Sequence, residues 1–142
     1  MREQGFTNRL RERGFTNVSL EQGDYYTYDS GRKAALRLLD TDDPPDAIFC
    51  AADILALGLL DTAKHELGIK VPEDLSIIGF DDIPVARMPA YDLTTIRQPV
   101  DEMVEAVAKL LSRPEGKSPT GETILLPGEL MVRGSAKVPS GD

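Results

Sequence analysis

Two short apolar runs in this chain end in carboxylates. Ala47-Ile48-Phe49-Cys50 delivers Ala51-Ala52-Asp53, and Leu75-Ser76-Ile77-Ile78-Gly79-Phe80 delivers Asp81-Asp82. Carboxylates so placed can hold a metal, work as acid and base, or accept hydrogen bonds from a bound hydroxyl or amine. The first two roles need companions that the sequence does not bring. His65, the one histidine, lies between Lys64 and Glu66 on the polar side of an expected helix, and Cys50 reads as a small buried hydrophobe in its strand. Standing fifteen residues apart, the two make a poor zinc site. There is no glycine-rich phosphate cradle and no Ser–His or Cys–His pair with supportive spacing. The expectation is a binding module rather than an enzyme, with no cofactor and no metal. Asp53 stands where it could instead cap the helix behind it, and a local turn role stays open for Asp81 or Asp82.

The elements that must position these acids alternate along the chain. Residues 2–13 read as a helix closed by Gly14, and residues 18–20 as a short strand followed by a Gly23-Asp24 turn. Ser30 can cap a helix to about Leu39 with Ala34, Ala35, Leu38 and Leu39 on its inner face. Asp42-Asp43-Pro44-Pro45 breaks it before the first apolar strand. Asp53 opens a helix that Gly68 closes, residues 93–97 are extended, and Pro99 and Asp101 open a last helix with Pro114 beyond its end. Residues 123–126 and 130–132 read as short β segments before a polar tail. Strand, helix, strand with continuous apolar strands means an α/β fold, a parallel sheet with helices on both faces. In such sheets ligands gather at the carboxyl ends of the strands, which places Asp53 and Asp81 on one rim.

The helix after Asp53 is apolar over too wide an arc for a helix that covers only one sheet face. Leu55, Ala56, Leu57, Leu59, Leu60, Ala63 and Leu67 span roughly 200° at about 100° per residue, and Ile54 falls outside them. Part of this helix should face a second helix of the same chain or a symmetric partner.

Composition bounds the rest. The 142 residues, 41% hydrophobic and 28% charged, suit one globular domain. No apolar run approaches the ~20 residues of a membrane helix, the N-terminus lacks a secretory pattern, and a single cysteine suits a reducing cytoplasm, so no membrane partner is expected. Residues 1–40 carry seven Lys/Arg against six Asp/Glu, residues 41–142 nine against eighteen, for a net charge of −8. The one basic cluster, Arg2, Arg9, Arg11 and Arg13, is interrupted by Glu3 and Glu12 and reads as a solvated helix face, not a phosphate-binding surface.

Three blocks now carry a resemblance: PDAIFCAADILALG at 45–58, GIKVPEDLSIIGFDD at 68–82 and LTTIRQP at 93–99. In order and spacing they resemble the LacI/GalR family of bacterial transcription regulators. REQGF at 2–6 and GDY at 23–25 are similar to two weaker family landmarks, and the likeness runs to about LMVR at 130–133. The resemblance implies a parallel-sheet lobe like that of periplasmic sugar-binding proteins, here the C-terminal effector-binding and dimerisation lobe over residues 1–135, with a crossover helix at about 100–112 and a polar tail at 136–142. It implies a small-molecule effector, a sugar or nucleobase-like compound, held by Arg2, Tyr25, Asp81 and Gln98, with Asp53 nearby. It implies a homodimer through Ile54, Leu57, Met88 and Tyr91, and operator DNA contacted only through an N-terminal domain that this chain lacks. A family strand before Arg2 is also absent, which makes the lobe truncated at its N-terminus and leaves Met103, Val104, Val107 and Leu111 without the cover of the other lobe.

The chain departs from the family pattern at Ala52, where asparagine is common, at Tyr91-Asp92, where Pro-Pro is usual, and at Arg133-Gly134-Ser135, where Arg-Glu-Ser is usual. Effector identity therefore does not carry over. A sugar-binding protein of a transport system and a standalone truncated interaction module are the alternatives of the same fold. Because the chain is acidic and offers no groove-reading element, it should show no salt-sensitive binding to duplex DNA by fluorescence anisotropy. Micromolar binding at moderate salt is the contrary outcome.

Overall fold

A computed structural model describes residues 2–22, 25–112 and 123–137. Its spine is a four-stranded sheet in the order β1 (Ala47–Phe49), β2 (Ser76–Asp81), β3 (Thr94–Arg97) and β4 (Glu129–Met131). β1, β2 and β3 are parallel and β4 is antiparallel to β3. Residues 129–131 thus match the expected last strand. Residues 123–126 and 18–20 form no strand. Residues 18–20 pair with no strand, although β1 is an edge strand with one side open among the described residues, and Leu20 is 56% exposed. The expected Gly23-Asp24 turn, Pro114 and the tail beyond residue 137 lie outside the described residues.

Helices take both faces of the sheet. α1 (Arg2–Glu12) begins over the face that shows Phe49 and Phe80, and Phe6 stacks on Phe49 with ring centroids 4.6 Å apart. Phe49 in turn meets Phe80 edge-on at 6.5 Å. α3 (Asp53–Asp61) covers the other face, and α2 (Tyr28–Leu39) packs on α3. The core is built where these layers meet: Ala35 and Leu39 from α2, Ala56, Leu57, Leu59 and Leu60 from α3, Ile77 from β2, and Leu75 and Leu93 immediately before β2 and β3. The wide apolar arc of α3 is therefore met largely by α2, the intramolecular alternative. α3 continues without a break into a π-helical turn, Thr62–Glu66, before Gly68 at φ 68 ends it.

α2 starts two residues earlier than Ser30. Thr27 is its cap, extended at φ −131 and ψ 157, and its hydroxyl accepts the Ser30 amide at 3.1 Å. Ser30 thus serves inside the first turn as donor, because Thr27 already holds the extended backbone that a cap requires.

Two glycines let α2 and α3 touch at backbone distance. A Cβ on Gly31 would run into the carbonyl of Leu55, and one on Gly58 into the carbonyl of Tyr28. The chain after β4 then laces the sheet shut. Ser135, 1% exposed, donates its hydroxyl to the Ile77 carbonyl at 2.6 Å and accepts the Thr94 amide at 2.9 Å.

α4 (Val100–Leu111) stands apart. None of its residues is buried; Met103, Val104, Val107 and Leu111 are 42–82% exposed, as expected for a helix whose apolar face is uncovered. No described helix is long and apolar enough to cross a membrane.

The close α2–α3 contact gives a direct test. Gly58→Ala should cost about 1–3 kcal/mol or more, because backbone rather than a flexible side chain blocks the added methyl. Urea unfolding should show a lower midpoint at unchanged slope, whereas Gly5→Ala, in open space inside α1, should hold or slightly raise the midpoint.

Candidate functional site

The rim at the carboxyl ends of β1, β2 and β3 collects charged side chains from five segments. Arg2, at the start of α1, lays its guanidinium over the Phe80 ring at 4.0 Å from the centroid. From there Arg2 donates to the Ala51 carbonyl at 2.8 Å and stands 3.4 Å from Asp81 Oδ1. Gln98, just past β3, donates to the same Oδ1 at 2.6 Å. Arg2, Asp81 and Gln98, three of the residues expected to hold an effector, are thus brought together. The Arg2 and Asp81 side chains keep 38% and 26% of their surface exposed. Tyr25 is 75% exposed, and no hydrogen bond or ring contact joins it to this group among the described residues.

An open cleft of ≈ 430 Å³ adjoins the group, lined by Asp81, Arg87, Arg97, Gln98, Asp101 and Glu129 among others. That volume lies within the range of small-molecule sites. No cluster of three or more metal-ligating side chains occurs among the described residues.

Asp53 is neither a helix cap nor a cleft residue. The cap position is Ala52, extended at φ −155 and ψ 149, and no side chain caps the helix. Asp53 is fully buried, and its carboxylate reaches across to the sheet: Oδ1 accepts the Thr95 hydroxyl at 2.5 Å and Oδ2 the Ile83 amide at 2.9 Å. Burial pushes its carboxyl above the ordinary range, against the pull of the bonds from Thr95 and Ile83. It bears on the site by fixing the loop after β2. Gly79 is part of that arrangement, because a Cβ there would collide with Asp53 Oδ1.

Asp82 is the residue whose importance the sequence concealed. Its side chain is 1% exposed and takes hydrogen bonds from three arginines: Arg133 at 2.5 Å, Arg97 at 2.7 Å and Arg87 at 3.0 Å. Burial opposes its charge, but the Arg133 and Arg97 bonds, the Arg133 charge and the Arg87 bond outweigh it and hold the carboxyl below the usual range. No direct signal for it stands in the sequence, because the register that sets Arg97 across from the end of β2 exists only in the folded sheet. Arg87 lies only five residues on, but Arg97 and Arg133 lie 15 and 51 residues away, so no local spacing gathers the three.

The residues expected at a dimer contact divide. Leu57 is 3% exposed and belongs to the intramolecular core, so it does not face outward; α2, brought close by Gly58, covers it. Ile54 and Tyr91 are half-buried against the core, and Met88 is 52% exposed. Tyr91 donates its hydroxyl to Asp61 at 3.2 Å, beside a shorter bond from Tyr28 at 2.6 Å. The Tyr28–Asp61 bond, with burial and the Asp61 charge adding to it, pushes the Tyr28 phenol up to about 12. Cys50 is buried and its thiol, desolvated, is likewise pushed up to about 12, which makes it a poor nucleophile. His65 is a solvent-facing side chain of the π-helical turn.

The comparisons with known proteins agree with this geometry. The family model described as periplasmic binding protein-like domain matches residues 1–136. The HTH-type transcriptional repressor CytR of Escherichia coli is 42% identical over 139 residues, which cover 96% of this chain and 40% of that protein. The HTH-type transcriptional repressor PurR of Yersinia pestis is 39% identical, over 94% of this chain and 40% of its own length. Among solved structures, a transcriptional regulator CelR–cellobiose complex superposes with a TM-score of 0.82 at 34% identity, over 95% of this chain and 42% of that one. A LacI transcriptional regulator from a Rhodococcus species gives 0.84 at 29%, over 95% and 50%. The chain spans about 40% of the length of these curated relatives. It belongs to the periplasmic binding protein-like domain family, in the form carried by LacI-family transcriptional regulators.

Proposed function

We propose that this chain is the effector-sensing and self-associating lobe of a LacI-type transcription regulator, that it catalyses nothing, and that it works in the cytoplasm. The observation that carries the reading is the convergence of Arg2, Asp81 and Gln98 beside an open cleft at the carboxyl ends of parallel strands. Operator contact falls to a DNA-reading domain outside the residues of this chain. The ligand is a small molecule rich in hydroxyls or ring hydrogen-bonding edges, a sugar or a nucleobase-like compound, since a carboxylate and a guanidinium recognise such groups in pairs. A related regulator bound to cellobiose supports a sugar as the first class to try.

Charge-assisted hydrogen bonds contribute on the order of 1.5–3 kcal/mol each. Asp81→Ala in the complete regulator should therefore weaken binding of its sugar or nucleoside at least tenfold, read by titration calorimetry with a panel of both classes. Affinity unchanged by the substitution would remove Asp81 from the site.

Self-association is the second part of the reading. Met88 is exposed just after the turn at 84–87, the Tyr91 amide donates back to its carbonyl at 2.9 Å, and Ile54 and Tyr91 are half-buried at the edge of the core; these three, without Leu57, are the residues assigned to the contact. Met88→Glu should place a charge in a symmetric contact and yield monomers by light scattering. An unaltered mass would refute this interface. Leu57→Glu, in contrast, should unfold the lobe, because it buries a charge in the core.

A further inference from the structure

We propose that Asp82 is a positioning residue for ligand binding: by holding Arg87, Arg97 and Arg133 it fixes the loop after β2 and keeps the carboxylate of Asp81 open to the cleft. The backbone sets the problem. Asp81 and Asp82 are consecutive residues with side chains at positive φ, 125 and 55. That region is disfavoured for residues with a Cβ, and persists where the surroundings over-determine it. Here they do so from two sides. Asp53 takes the Ile83 amide from the α3 side, and Asp82 is gripped by three guanidiniums.

Those guanidiniums come from three separate segments: the 3-10 turn Pro84–Arg87, β3, and the chain after β4. Arg133 is itself anchored, donating to the Leu93 carbonyl at 2.7 Å. The reversal at the strand end sends the two adjacent carboxylates to different places. Asp82 goes inward to the arginines, and Asp81 outward to Gln98 and Arg2.

The division matters because Arg87 and Arg97 also line the cleft. Arg97 lies directly across the strand pair from Asp81. With Asp82 removed, both arginines would be left with one vacant donor set beside the Asp81 carboxylate. They would turn to it and occupy the acceptor that a ligand needs. Asp82 thus has a role at the site without touching the ligand.

The inference rests on Asp81 being the ligand anchor, but its test needs no ligand. In the isotope-labelled chain, the Gln98 side-chain amide reports the Asp81 position, since it donates to Oδ1 at 2.6 Å. Asp82→Ala should move that amide signal toward the free-glutamine position and speed its solvent exchange at least tenfold, as Asp81→Ala does. The Ile77 amide, bonded to Ser135 in the core, should keep its protection. Asp82→Asn, which retains an acceptor for one arginine, should give a smaller change, a partial rescue that loss of fold would not produce. Should Asp82→Ala fail to fold, Asp82→Asn carries the test, and adding Arg87→Ala to it, which removes one of the arginines freed to compete for Asp81, should return part of the Gln98 shift. A Gln98 amide at its wild-type position in folded Asp82→Ala overturns the clamp, as does equal loss of protection at Gln98 and Ile77. Absence of sugar or nucleoside binding by the wild-type regulator would count against the proposed function alone.

Discussion

The fold turns on a buried carboxylate that belongs to a helix but bonds to a sheet. Asp53 opens α3, yet its two oxygens are taken by the Thr95 hydroxyl in β3 and the Ile83 amide beyond β2. One side chain therefore joins the helix, the strand two positions into the sheet, and the loop that shapes the rim. Burial makes these bonds consequential, because a carboxyl out of water without partners costs far more than a surface one. The residues around it follow from that requirement. Gly79 has no side chain because the carboxylate occupies the space, Thr95 supplies a donor where a valine would supply none, and Ala52 keeps the approach to the helix small.

The same loop carries a second constraint. A reversal with two consecutive residues at positive φ is uphill for the backbone alone. Its compensation lies largely in long-range contacts, because two of the three arginines that bind Asp82 stand 15 and 51 residues away in the chain. The rim is thus shaped by tertiary contacts, and its geometry appears only when β3 and the chain after β4 have docked. Docking depends on Ser135 and Thr94, whose side chains replace backbone partners along the sheet. The geometry of the site therefore depends on the closure of the sheet.

This explains which parts of the molecule were legible in the sequence. The parallel sheet, its helices and the pairing of Arg2, Asp81 and Gln98 follow from apolar runs ended by polar rims and from the family blocks. What spacing could not show was where a side chain would turn after the chain closed. Asp53 looks like a cap because caps are local, and its real partners are 30 and 42 residues away. Leu57 looks outward because the arc of α3 is wide, but the glycines at 31 and 58 bring α2 close enough to cover it. Residues 18–20 have strand composition but pair with no strand, and composition alone does not make a ladder.

The arrangement at Asp81 also says what kind of ligand the rim would discriminate. Its Oδ1 is engaged by Gln98 and faces Arg2, while no bond to Oδ2 is formed among the described residues. If Asp81 anchors a ligand as proposed, a ligand donor could add at Oδ2 without displacing a partner among the described residues. Arg2 is held flat by Phe80 below and the Ala51 carbonyl at its side, so it is already ordered before a ligand arrives. Preorganised groups lose little freedom on binding, and more of the interaction survives as affinity. Such a rim favours compounds that offer a donor to the carboxylate and an acceptor to the guanidinium together. On the proposed reading, an analogue with a hydroxyl removed would leave a partly buried charge unpaired, and that penalty, more than lost contact area, would separate one ligand from its near relatives.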